Sequence, residues 1–112
     1  MKKGSLVIDA ETVIVNLLRE DKKYYVDIDR IDQLCCYIKE QLIQGNYFDE
    51  YQTVVFDVNF DAIARTVQYR SNIFDLVGDR IYLKCEQDKL PNMPHPNDCL
   101  RKMISDFVGQ AA

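Results

Sequence analysis

Glycine is scarce in this chain, and histidine is scarcer still. The four glycines, Gly4, Gly45, Gly78 and Gly109, stand apart from one another. None belongs to the clustered glycine loops that bring backbone N–H groups up to a phosphate. They read instead as caps and turns. The single histidine, His95, lies between Pro94 and Pro96 and so belongs to a loop. Any Cys–His nucleophilic dyad would have to use it, and nothing in the sequence brings a thiol to it. A structural zinc site needs four ligands with tight paired spacing. Cys85, His95 and Cys99 lack that pairing, and the chain has no CxxC. No cofactor is expected on these grounds.

Long apolar runs are missing too. Nothing approaches the ~20 residues that span a bilayer. The basic start, Met1-Lys2-Lys3-Gly4-Ser5, leads into an apolar stretch that stops at Asp9. That is too short for a signal peptide. The expected location is cytoplasmic, with no membrane contact. In that reducing setting, Cys35, Cys36, Cys85 and Cys99 are expected as free thiols serving as small core residues.

Positive charge is in deficit, 14 basic against 18 acidic residues for a net −4, and the cations are scattered. This argues against nucleic-acid binding through a broad basic surface, which takes clustered Lys and Arg. An acidic surface suits a basic partner instead.

What is present is an ordinary globular composition, 47% hydrophobic and 29% charged over 112 residues. A chain of this length buries roughly 60–70% of its unfolded surface and needs no disulfide or metal to hold a core. Residues 1–112 are therefore expected as a single domain.

Along the chain, Leu6-Val7-Ile8, Thr12-Val13-Ile14-Val15 and Leu17-Leu18 favour extended structure, because β-branched residues sit well on a pleated sheet. Tyr24, Val26 and Ile28 alternate with Tyr25, Asp27 and Asp29, the period-2 pattern of a half-buried strand. The simplest reading is a hairpin. Ile14, Leu17 and Leu18 also share a helical face, so Glu11–Leu18 stays open between strand and helix. Ile31, Leu34, Cys35, Ile38 and Leu42 predict a helix over about 30–44, capped by Asp29 and stopped by Gly45.

Thr53-Val54-Val55-Phe56 reads as an inner strand ending at Asp57. Asn59 can cap a following helix with Phe60, Ile63, Ala64, Val67 and Phe74 as its stripe, broken at Ser71-Asn72 and ended by Gly78-Asp79. Arg80 to Cys85 alternates as a strand. Pro91, Pro94 and Pro96 make 88–96 irregular. Leu100, Met103, Ile104, Phe107 and Val108 give a last helix from about Asn97, closed by Gly109. The predicted order is ββαβαβα, an α/β domain of about four strands in a mixed sheet packed by three helices.

Two constellations carry functional expectations. Tyr47, Phe48 and Tyr51 crowd a loop with Asp49 and Glu50, and aromatics with one wet end are enriched at binding hot spots. This favours a small acidic non-catalytic module acting through protein–protein contacts or as a homodimer. The alternative is a Mg²⁺-dependent hydrolase or nuclease. Asp9 and Asp57 end apolar strand-like runs, where ligands bind open α/β sheets, and Asp61 begins the next helix. Such carboxylates can hold Mg²⁺ with water completing the shell.

The run Leu6-Val7-Ile8-Asp9-Ala10, followed by Val13-Ile14 and Leu17-Leu18, resembles the opening strand and helix of PIN-domain ribonucleases over about the first fifteen residues. In that family the strand-end aspartate is a metal ligand, a role the resemblance carries to Asp9. Glu11 departs from the pattern, standing where the family usually has a small or polar residue.

Overall fold

Asp9 decides how the chain begins to fold. It ends strand β1 (Lys3–Asp9) and caps helix α1 (Ala10–Asp21), its carboxylate accepting from the Thr12 amide at 2.8 Å. That bond satisfies a donor the first helical turn would otherwise leave open. The expected first hairpin is thus replaced by a strand and a helix. Val13, Ile14 and Val15 lower helix propensity by a few tenths of a kcal/mol each, but every residue from Thr12 to Leu18 is buried. A helix buried on every side over these positions belongs at the centre of a fold, even with Thr12 and Asn16 among them. Here burial overrides propensity.

The computed structural model describes residues 3–44, 51–91 and 98–110. After α1 come β2 (Tyr25–Asp27), α2 (Ile28–Gln44), β3 (Tyr51–Asp57), α3 (Phe60–Tyr69), β4 (Phe74–Val77), β5 (Arg80–Leu83), a single 3₁₀ turn at Gln87–Lys89 and α4 (Asp98–Gln110). The described residues form a small α/β domain with four helices and five strands in two sheets, not three helices on one four-stranded sheet. No helix among the described residues is long and apolar enough to cross a membrane.

β1 and β3 pair in parallel, with Ser5 opposite Thr53, Val7 opposite Val55 and Asp9 opposite Asp57. The other sheet is antiparallel in the order β2-β5-β4. β2 therefore pairs with β5, far along the chain, and not with the segment before it. α1 touches α4, α3, β1 and β2, so it bridges both sheets.

The third predicted helix is shorter than its apolar stripe suggested. Asn59 caps α3 as expected, accepting from the Ala62 amide at 2.8 Å. The helix ends at Tyr69, and Phe74 opens β4. Phe60 is 57% exposed, so the buried face is Ala62, Ile63 and Val67. Gly78-Asp79 is the two-residue turn of the β4–β5 hairpin, with Gly78 at φ +61. Glycine with positive φ at the first turn position matches the twist of the flanking strands.

α2 and α4 keep their predicted stripes. Ile31, Leu34, Cys35 and Ile38 are buried on α2, as are Leu100, Met103, Ile104 and Phe107 on α4. α2 starts at Ile28, so Asp29 lies inside its first turn and does not cap it. α4 continues through Gly109 to Gln110, and its packed face outweighs one glycine. Cys35 is core, Cys36 is exposed and Cys85 half-buried, all as free thiols. Burial pushes the Cys35 thiol up to about 11, with nearby Lys39 opposing the shift.

Candidate functional site at the parallel strand ends

Parallel pairing brings Asp9 and Asp57 side by side, because the register aligns the last residues of β1 and β3. Neighbouring strands lie about 5 Å apart, and both aspartates line one cleft. Ser5, Val7 and Asp9 alternate with the buried Leu6 and Ile8, so the pair ends the exposed face of the sheet.

The two acids form one side of a cleft of about 250 Å³, completed by Ala10 and Glu11 from α1 and by Ala62, Arg65, Thr66 and Tyr69 from α3. The α3 residues fall at i, i+3, i+4 and i+7, a single helical face. Ala62 is buried on the packed face of α3. Tyr69, 79% exposed, stands at the outer end of this face.

The charges of the cleft are not equally engaged. Arg70 Nε donates to Glu11 Oε1 at 2.8 Å, a partly buried pair that ties the end of α3 to the start of α1. Arg65 approaches Asp57 only to 3.9 Å, and these side chains are 70% and 53% exposed. Asp9 uses one oxygen, Oδ1, on the Thr12 amide. The Thr66 hydroxyl donates to the Ala62 carbonyl at 2.9 Å, leaving its oxygen as an acceptor.

Of the acids singled out in the sequence, Asp9 and Asp57 come together. Asp61 lines a separate depression with Asn59, Ala64, Arg65 and Gln68. Among the described residues no group of three or more His, Cys, Asp or Glu side chains is arranged to hold a metal ion. The donor set is thus two carboxylates. It does not suit zinc or a calcium cage, but it fits Mg²⁺, which keeps several waters and often takes one or two carboxylates plus a substrate phosphate.

Tyr47, Phe48, Asp49 and Glu50 lie outside the described residues, as does His95; Tyr51 begins β3. Two cleft residues that sequence reasoning passed over are Arg65 and Glu11. Arg65 could have been found from its i+3 spacing after Ala62. The Glu11–Arg70 pair spans 59 positions and has no local signal. Comparison with protein-family models, curated proteins and solved structures found no match.

Proposed function

We propose that this domain is a Mg²⁺-dependent hydrolase of phosphoesters, a nuclease-like activity, working at the strand-end cleft. The observation that carries the reading is the registered pair Asp9 and Asp57 at the carboxyl ends of two parallel strands, the place where open α/β sheets bind ligands. Asp9 and Asp57 would hold the ion, which when bound would neutralise phosphate charge and lower the pKa of its water. Capping holds Asp9, since the Thr12 amide engages its Oδ1 and leaves Oδ2 outside that bond. The Arg70–Glu11 pair holds the ends of the two walls together and keeps Glu11 from competing for the ion. The test is Mg²⁺ titration followed by hydrolysis of a chromogenic phosphodiester. Asp57→Asn should abolish both Mg²⁺ binding and turnover with the fold intact. Unchanged Mg²⁺ affinity in that variant would end the proposal.

A second reading, a non-catalytic module that binds a protein partner or a second copy of itself, draws support from the neighbouring sheet face. Val7 and Val55 stand side by side, 51% and 45% exposed, on a parallel pair whose faces are ordinarily both covered. Tyr47→Ala with Phe48→Ala should leave the domain folded and weaken self-association in sedimentation. Unfolding would show those aromatics to be core.

A further inference from the structure

Arg65 is the cation among the residues that line the cleft, tethered to its own helix and only loosely approached by an acid. Its Nε donates to the Asp61 carbonyl one turn back, at 3.3 Å. That tether anchors the near edge of the fork on its own helix. Its Nη2 stands 3.9 Å from Asp57, a loose approach with both groups largely in water. Arg70 differs in each respect, being drawn to 2.8 Å from Glu11 and 37% exposed. We infer that Arg65 is the anion-binding residue of the cleft, and that its Nη edge takes the oxygens of a phosphate group whose other side meets a divalent cation on Asp9 and Asp57. The inference rests on the Mg²⁺ reading above and adds to it the group that selects the substrate.

The chemistry follows from the charge pattern. Two carboxylates repel a bare phosphate, and a cation between them converts that repulsion into attraction. Phosphate would then be drawn by two positive groups, the ion that Asp9 and Asp57 would hold and the Arg65 guanidinium. A planar fork matches two phosphate oxygens in a way a lysine ammonium does not. The loose Arg65–Asp57 approach gives way without cost, since an exposed pair at this separation contributes little. Ala62, one turn earlier on the same face, leaves room for the group to enter.

The experiment uses the full chain, ¹⁵N-labelled, with Mg²⁺ alone, inorganic phosphate alone, and phosphate added in saturating Mg²⁺. Backbone amides of residues 9–12 and 57–66 report both ligands. Phosphate should bind more tightly with Mg²⁺ than without it. Arg65→Gln should weaken that binding roughly ten- to a hundredfold, the usual loss for a hydrogen bond to a charged group, while Mg²⁺ affinity is kept. Arg65→Lys should recover only part of it. Arg101→Gln, an exposed charge on α4, controls for net charge and should change nothing. Phosphate affinity unmoved in Arg65→Gln, or lowered equally in Arg101→Gln, would overturn the role of Arg65. Absence of phosphate binding by the unmodified chain would overturn it as well. Mg²⁺ binding that survives Asp57→Asn would instead remove the metal reading beneath it, so the two failures are distinguishable.

Discussion

The two sheets treat their charged residues in opposite ways. On the outer face of β2-β5-β4, Arg80 donates to Asp27 at 2.7 Å and lies 4.1 Å from the Tyr25 ring centroid, while Tyr25 and Tyr82 pair across strands at 6.4 Å. There Asp27 has an opposite charge directly across the ladder in Arg80, as a solvated antiparallel face permits, and Asp75 faces Tyr82. On β1–β3 the directly opposed residues Asp9 and Asp57 carry the same charge. Like charges placed opposite one another are unfavourable in a sheet. The cation proposed for the strand-end cleft would offset this like-charge pair, which among the described residues has only the loose approach of Arg65 to Asp57.

The largest expected effect tests what joins the two sheets. Leu17 is fully buried in α1, which contacts elements on both sides. Leu17→Ala should cost about 2–5 kcal/mol, read as a fall in the denaturant midpoint. A marginally stable domain would lose its cooperative transition altogether. If the loss were below about 1 kcal/mol, α1 would not be the shared core on which the comparison stands.

The next prediction separates the two aspartates, which the cleft treats as partners but the fold does not. Asp9 is a helix cap as well as a proposed ligand, so Asp9→Ala should lower stability by about 1 kcal/mol and also remove Mg²⁺ binding. Asp57 has only its distant approach to Arg65, so Asp57→Asn should remove Mg²⁺ binding with thermal stability nearly unchanged. Paired melting curves and metal titrations check both. Equal stability losses would mean that Asp57 has a structural role not visible in its contacts.

Which of these features could be read from the sequence follows from how local their causes are. Helices α2 and α4, strand β3 and the Asn59 cap are written in spacing within a few residues. So were Asp9 and Asp57 as strand ends, though their juxtaposition needed the pairing of β1 with β3 across 48 positions. α1 was ambiguous because Val13-Ile14-Val15 favours extended structure locally, and only encirclement by other elements makes it a helix. β4 was absorbed into a helical stripe because Phe74 continues the apolar spacing of α3. Gly78-Asp79 between Phe74–Val77 and Arg80–Leu83 carried the hairpin signal, a two-residue turn with glycine first. The part played by Arg65 stayed illegible, since telling it from Arg70 depends on distances set by tertiary packing.

A smaller effect concerns Cys35, on the packed face of α2 and outside the cleft lining. Burial raises its thiol from 9.0 to about 11, so the folded state holds the proton more tightly than the unfolded chain. The stabilisation is therefore complete below about pH 9 and declines as pH rises toward about 11. Cys35→Ala should flatten the stability profile in that window, measured by denaturation at stepped pH. At pH 8 a maleimide should modify Cys36 well before Cys35, because Cys36 is exposed while burial both shields the Cys35 thiol and keeps it protonated. Peptide mapping assigns the modified residue.

The smallest effect is expected at the Asp27–Arg80 pair, and its smallness is the point. Both side chains are more than two-fifths exposed, where water screens the attraction and ordering two side chains offsets most of the gain. Asp27→Ala should shift the melting temperature little, and the shift should shrink further in high salt. Neither Mg²⁺ nor phosphate binding at the cleft should respond. Arg80 would keep its place over the Tyr25 ring, which needs no acid. A change in ligand binding from this variant would mean that the two sheet faces communicate, most directly through α1, which touches both β1 and β2. The contrast between a face that cancels its charge and a face that leaves it uncancelled would then describe one coupled system instead of two separate surfaces.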